Sequence, residues 1–344
     1  MKPIRLNLQE IFSTGCPGVI FVVTILFFLS ACAPVLIASG KAIHAPQLID
    51  KGFLTSDGEI LAVKSWGPKD NNAKAIIIAL HGFNDYSNFF KAPGEFLAEQ
   101  GILSYAFDQR GFGASNHPGV WAGTKTMVGD LKTFARLIKH RHEEIPLYLL
   151  GESMGGALIM VATTENPTLQ IDGVILSAPA VWSRRTMPWY QRLALWIGAR
   201  IMPSVTITGE GLNIKPSDNL EMLLALGRDP LVIKKTRVDT IYGLTNLMDT
   251  ALERAILFFE PALILYGEKD EVIPLKPTRL MLEMLPQIGG KRHRLALYKD
   301  GYHMLLRDLN AKDPLRDIDA WITNNYTPFS SGADINAYER LSVL

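Results

Sequence analysis

The sequence predicts an α/β protein, a mainly parallel, doubly wound sheet with helices on both faces. Three observations carry that expectation. Short, almost wholly apolar runs alternate with stretches of helical spacing, the pattern of strands buried on both faces and of their crossover helices. This alternation recurs over most of the 344 residues. One such run, Leu147-Tyr148-Leu149-Leu150, passes through Gly151-Glu152-Ser153-Met154-Gly155 straight into the helix-forming stretch 157–164. A serine on so sharp a strand-to-helix turn needs small neighbours, which Gly151 and Gly155 supply. The following helix aims free amides and its positive dipole end at any negative charge developing there.

In chain order, Phe53-Leu54 and residues 60–63 flank the turn signal Ser56-Asp57-Gly58 and read as a hairpin. Residues 75–80 form a β-branched strand, 88–100 a helix closed by Gly101, and 102–107 the next strand. Over 126–142, Met127, Leu131, Phe134, Leu137 and Ile138 fall on one helical face. The strand 173–176 follows the serine turn. The alternation resumes with strand 261–266, helix 277–285, strand 294–298 and a final helix over 304–324. The core is therefore expected over 51–180 and 256–326, interrupted by a helix-like insertion at 181–255 and followed by a polar, peripheral tail at 327–344. In the insertion Trp182, Trp189 and Trp196 recur every seven residues. Such a stripe is expected as helix–helix core; the alternative is a roof over the strand ends whose apolar side chains line a pocket.

A hydrophobic content of 48% with 20% charged residues describes a globular chain with ample core. The net charge is +1 and no basic stripe is interleaved with aromatics, which excludes nucleic acid as an expected partner. The N-terminus stands apart. Lys2 and Arg5 precede the apolar run 19–29, which has the length of a signal-peptide core and ends in Leu29-Ser30-Ala31-Cys32. Those four residues resemble the lipobox of bacterial lipoproteins. The resemblance implies a signal peptide over 1–31, lipidation of Cys32, a tether over 32–50 and a body anchored to a membrane outside the cytosol. The alternative is an uncleaved apolar anchor over 18–38, which also tethers the body to a membrane. Cys16 and Cys32 are the only cysteines, so the body has no disulfide.

A serine nucleophile needs a base to take its proton, and a histidine base needs an acid to hold its tautomer. On a turn of this kind the acid and then the histidine follow the serine in the chain. Only His293 and His303 follow Ser153. His293 lies in the basic run Lys291-Arg292-His293-Arg294 and is expected to be solvated. His303 lies just past the carboxyl end of the last strand and is the expected base. Among Asp172, Asp218, Asp229, Asp239, Asp249, Glu268, Asp270 and Asp300, the preferred acid is Asp270. It follows a strand through Gly267-Glu268-Lys269 and has the length to curl towards His303; Glu268 is its nearest rival. The oxyanion hole calls for two backbone donors, expected at Met154 and at Phe83 in the loop His81-Gly82-Phe83-Asn84-Asp85. His81 is expected to be structural. This chemistry calls for no metal and no organic cofactor.

Leu80-His81-Gly82-Phe83, Asp108-Gln109-Arg110-Gly111-Phe112-Gly113-Ala114-Ser115, Gly151 to Gly156, Tyr266 to Pro274 and Gly301-Tyr302-His303 together resemble the α/β-hydrolase superfamily. The similarity is strongest to its lysophospholipase and monoacylglycerol lipase-like branch and spans about residues 52–321. It implies an eight-stranded sheet, a helical cap where 181–255 lies, and a serine hydrolase that cleaves carboxylic esters of a lipid or small alcohol through an acyl-enzyme. A serine aminopeptidase or amidase of the same fold is the alternative, and a non-catalytic binding protein the third reading. One departure bears on the acyl site. That branch often carries a further Gly and Glu-His after the His-Gly pair, where this chain has Asn84-Asp85-Tyr86.

Overall fold

The computed structural model describes residues 34–343 except 51, 212 and 287–291; the expected signal segment and Cys32 lie outside the described residues. Strand parity explains the architecture. In β5 (Ala75–Leu80), Ile76, Ile78 and Leu80 enter one core cluster, while Ala75, Ile77 and Ala79 enter another on the opposite face. The same split recurs in β7 (Leu147–Glu152), β8 (Gly173–Ser177), β11 (Ala262–Gly267) and β12 (His293–Tyr298). Strands that are apolar at every position need helices on both sides. One face is covered by α2 (Thr124–Arg141), α3 (Met154–Thr163), α6 (Val238–Arg254) and α7 (Leu275–Met284). The other is covered by α1 (Lys91–Glu99) and α8 (Lys312–Thr323).

Among the described residues the main sheet has seven strands, in the order β12-β11-β8-β7-β5-β6-β4, with β6 at Ile102–Phe107 and β4 at Val63–Trp66. Every pairing in it is parallel except that of β4 with β6. The hairpin expected ahead of the sheet is present: β2 (Gly52–Leu54) pairs with β3 (Ile60–Leu61), with Phe53 opposite Leu61. It forms a small sheet of its own, because the chain leaves the ladder at Ala62, whose carbonyl accepts the Asp108 N–H at 2.9 Å. The expected tether contributes a third strand here, β1 (Gln47–Ile49), antiparallel to β2.

Three expectations change. The final helix is broken: a single 3-10 turn, Leu305–Arg307, precedes α8. Asp308 lies between them in extended backbone, its carboxylate taken by the Tyr302 N–H at 2.8 Å and the Ser217 hydroxyl at 2.6 Å. The tail is not peripheral. Phe329, Ala333, Ala337 and Leu341 are buried, and the Ala333 carbonyl accepts the Leu297 N–H at 2.8 Å, so the tail covers the otherwise open edge of β12.

The insertion divides. Its last helix, α6, buries Leu247, Met248, Ala251 and Leu252 in the core, and Gly243 lies where a Cβ would sit 2.4 Å from the Trp121 ring. Its first helices, α4 (Trp189–Ile201) and α5 (Leu220–Arg228), bury almost nothing: Ala199 in α4 and no residue in α5. The tryptophan stripe is therefore not helix–helix core, since Trp189 and Trp196 both face outward.

Away from the strand ends that carry the serine turn, one buried cation ties the fold together. The Arg110 guanidinium bonds Asp57 and Glu59 of the hairpin turn, each at 2.7 Å, and Asp130 of α2 at 2.6 Å. Hydrogen bonding to Arg110 holds Asp57 well below the usual carboxylate range, whereas burial pushes Asp130 up to about 6. Replacing Arg110 with Met leaves three facing carboxylates without their cation. The expected loss is about 3–5 kcal/mol of unfolding free energy, read from denaturant titration at neutral pH. A change under about 1 kcal/mol would mean that the cluster carries no such role.

Candidate active site

The parallel strands deliver every candidate group to one edge of the sheet. Ser153 follows β7 directly and takes φ 52° and ψ −112°, a conformation that L residues seldom adopt. It survives because its surroundings are glycine and backbone. A Cβ on Gly151 would lie 2.4 Å from the Gly155 carbonyl carbon, and one on Gly155 would lie 2.3 Å from the Leu80 oxygen. The Ser153 N–H donates to the Ser177 oxygen at 2.9 Å, and its carbonyl accepts from Ala157 and Ala180 at 3.1 and 2.9 Å. Met154 opens α3, where first-turn amides have no partner inside the helix.

His303 and Asp270 are brought together: Nδ1 lies 2.8 Å from Oδ2, with both side chains buried. A carboxylate only accepts, so Nδ1 carries the hydrogen and the neutral ring leaves Nε2 bare. Asp270 is itself clamped, its Oδ1 taking the Val272 and Ile273 amides at 2.8 and 2.9 Å. Burial alone would push the His303 pKa down. The Asp270 charge and hydrogen bond, with the Glu152 charge behind them, outweigh it and hold His303 above the ordinary histidine value.

The other candidates are engaged elsewhere. Glu268 bonds Arg340 of the tail. Asp172 caps the Leu147 amide, Asp229 takes the Tyr86 hydroxyl, Asp249 pairs with Arg184, and Asp300 with Lys269. Asp218 accepts the Leu309 amide, and Asp239 pairs with Arg237. His293 is not solvated as expected: it is half-buried and stacked on Phe258 at 5.6 Å, and burial lowers its pKa.

Fully buried His81 sits behind the loop that carries Phe83. Its Nε2 accepts the Gln109 N–H at 3.0 Å, so Nδ1 is the protonated nitrogen and donates to the Gly82 carbonyl at 2.8 Å. Burial lowers the His81 pKa and keeps this neutral tautomer. In a trans peptide the N–H points opposite to the carbonyl. Turning the Gly82 carbonyl towards His81 therefore turns the Phe83 N–H away from it. Gly82 lies against the nucleophile turn, where a Cβ would be 3.4 Å from the Ser153 Cβ.

A further group was not foreseen from the sequence. Arg307, four residues past His303 and buried, donates to Glu152 Oε1 at 2.6 Å and to Asp85 Oδ2 at 2.8 Å. It joins the loop after β5, the end of β7 and the loop after β12. The signal that could have found it is Glu152 itself, a charged residue ending an otherwise apolar buried strand and so in need of a cation.

The insertion closes over this edge from two sides. Met304 donates its N–H to the Pro216 oxygen at 2.9 Å, and Ile233 donates to the Asn84 oxygen at 2.9 Å. Asn84 Nδ2 also reaches the Thr236 hydroxyl at 2.6 Å. Among the described residues no cluster of metal-binding side chains is present.

A family model described as serine aminopeptidase, S33, matches residues 71–310. The chain is 25% identical to a monoacylglycerol lipase of Mycolicibacterium smegmatis over 279 residues, covering 80% of this chain and 97% of that protein. It is 26% identical to a monoglyceride lipase of Rattus norvegicus over 287 residues, covering 79% and 89%. Among solved structures, the monoacylglycerol lipase of Paleococcus ferrophilus superposes with a TM-score of 0.60 at 25% identity, over 76% of this chain and 98% of that one. A soluble variant of the Saccharomyces cerevisiae monoglyceride lipase, in complex with a substrate analogue, shares the fold with a TM-score of 0.66 over 86% and 99% at 21% identity.

The electrostatics of His303 give a pH prediction. A base titrating above the ordinary histidine value is protonated, and idle, over a wider acidic range. In Glu152→Gln the neighbouring charge that raises His303 is gone, so the acid limb of the kcat/KM profile is expected to move to lower pH. A limb that stays in place, in a variant shown by its melting curve to be folded, would contradict this coupling.

Proposed function

The chain belongs to the serine aminopeptidase S33 family, and within it we propose a serine hydrolase of carboxylic esters whose substrates are monoacylglycerols or lysophospholipids. The observation that carries this reading is the His303–Asp270 pair, with Nε2 left bare at the strand edge that holds the strained serine turn. The similarity to monoacylglycerol lipases over nearly their whole length supports the substrate class.

In this reading Ser153 Oγ attacks the acyl carbonyl while His303 Nε2 takes its proton. The carbonyl electron pair moves to oxygen, where the Phe83 and Met154 amides receive it. Asp270 holds the ring in its tautomer and offsets the imidazolium charge. His303 then gives its proton to the departing alcohol as the C–O bond breaks. In the second half His303 takes a proton from water, whose oxygen attacks the acyl-enzyme, and returns that proton to Ser153 as the acid leaves. All the protons are accounted for by His303 and water.

An aminopeptidase would need a free carboxylate to hold the substrate ammonium. Glu152 and Asp85, the carboxylates flanking the serine turn and its neighbouring loop, are both drawn to Arg307, which favours the ester reading. Attachment to a membrane, through Cys32 or through the apolar run 19–29, would bring the enzyme to its lipid substrate on the extracytoplasmic side. The segment 181–237 would serve as the cap.

The test is labelling by a fluorophosphonate probe together with turnover of monoacylglycerols, lysophospholipids and amino-acid anilides. The full chain is expected to take the label and to prefer the lipids, while Ser153→Ala takes none. Asp270→Asn should lower kcat by roughly 10⁴-fold through the wrong tautomer, and Glu268→Gln should leave it unchanged. Faster turnover of the anilides than of the esters would replace the lipase reading with the peptidase one.

A further inference from the structure

The segment expected as a loose tether is strapped to the body. From Val35 to His44 its amides donate in turn to Asp239 Oδ2 (3.1 Å), the Trp121 oxygen (3.1 Å), Thr126 Oγ1 (3.2 Å), Asp57 Oδ2 (2.7 Å) and the Ser56 oxygen (2.7 and 3.0 Å). The first of these contacts decides where the preceding chain leaves. Asp239 stands in the first turn of α6 and donates its own N–H to the Pro203 oxygen at 3.0 Å, just beyond the end of α4. Val238 beside it donates to the Val205 oxygen at 2.9 Å, and a Cβ on Gly198 of α4 would lie 3.2 Å from Val238 Cγ1. The strap therefore ends against the C-terminal end of α4.

That helix is the most apolar exposed element of the insertion. Trp189 is 72% exposed, Trp196 50% and Ile201 51%, with Leu193 and Ile197 on the same helix also open. Arg200 lies over the Trp196 ring at 4.2 Å, and Arg192 is a second cation on the helix. Tryptophan beside aliphatic residues, with arginines at the margin, is the composition of a helix lying in a membrane interface. Water is a poor neighbour for a patch of this kind on a single chain.

We propose that the protein docks on a lipid bilayer through the outer face of α4, with the strap of residues 35–44 holding the N-terminal attachment beside that face. This orientation rests on the membrane attachment proposed above. Three residues of chain reach at most about 11 Å, so an anchor at residue 32 keeps the bilayer close to Asp239 and hence to the end of α4. The docked face then opens on the site. The same insertion is bonded to the loops of His303 and of Phe83 through Pro216 and Ile233, so lipid lying under α4 is adjacent to the edge that carries Ser153.

The test uses the full chain on vesicles of phosphatidylcholine with a minor share of phosphatidylglycerol, with and without brominated acyl chains that quench tryptophan on contact. The chain is expected to float with the vesicles and to lose tryptophan emission on the brominated ones. In the double variant Trp189→Ser, Trp196→Ser, flotation through the N-terminus should persist and most of the quenching should vanish. Its rate on a short water-soluble ester should match the parent, while its rate on vesicle-borne monoacylglycerol falls several-fold. Equal quenching in parent and double variant, or a sedimenting dimer that shields these tryptophans, would overturn the docking. A chain that does not float overturns the docking and the attachment together. Quenching that depends on the two tryptophans in a chain without esterase activity would uphold the orientation and remove the hydrolase reading.

Discussion

The backbone of Ser153 is the constraint on which the site depends. Holding an L residue at positive φ costs roughly 1–3 kcal/mol, and the surrounding sheet meets that cost with contacts only glycine permits. Gly151 and Gly155 let β7, α3 and the end of β5 approach until a methyl group on either would overlap backbone. The turn also lies at the centre of the sheet, with β5 on one side of β7 and β8 on the other. The oxyanion loop leaves β5, the acid turn leaves β11, and the histidine loop leaves β12. Parallel pairing brings all of them to one edge without further design.

What the sheet does not provide is the register among those loops, and Arg307 supplies it. One guanidinium spans Asp85 behind the Phe83 loop and Glu152 before the serine, from a position four residues past His303. A buried ion network of this kind adds little to stability over a well-packed apolar substitute, because desolvation offsets the attraction. Its contribution is geometric and electrostatic. Asp85, Glu152 and Asp270 outnumber the one permanent cation, so the site as a whole favours a proton on His303. That is the state in which His303 stands when negative charge has moved onto the substrate oxygen.

Residues whose meaning is local were readable from the sequence. Strand parity, the serine turn and the chain order of Asp270 and His303 each follow from spacing and strand ends, and the structure sets those groups where they were expected. Features that depend on what covers a surface were not readable. A heptad of tryptophans shows that one helical face is apolar but not whether another element lies on it, and α4 leaves its stripe uncovered. The tail shows the opposite error: its few apolar residues, Phe329, Leu341 and small alanines among polar neighbours, look peripheral until the open edge of β12 needs them. Arg307 and Glu152 lie far apart in the chain, and only folding shows that each is the other's partner.

The two halves of the site differ in how firmly they are built. Asp270 is fixed by backbone amides of its own turn and His303 by Asp270, both rooted in strands buried on each face. The segment above them buries one side chain in α4 and none in α5, and is held by hydrogen bonds to loops at its margins. Elements with few buried contacts open at far lower free energy than the core. The insertion can therefore shift to admit a long acyl chain while the proton-transfer geometry stays where the sheet put it. A rigid edge under a weakly packed roof separates the demands of chemistry, which tolerates little displacement, from those of a bulky apolar substrate, which requires some.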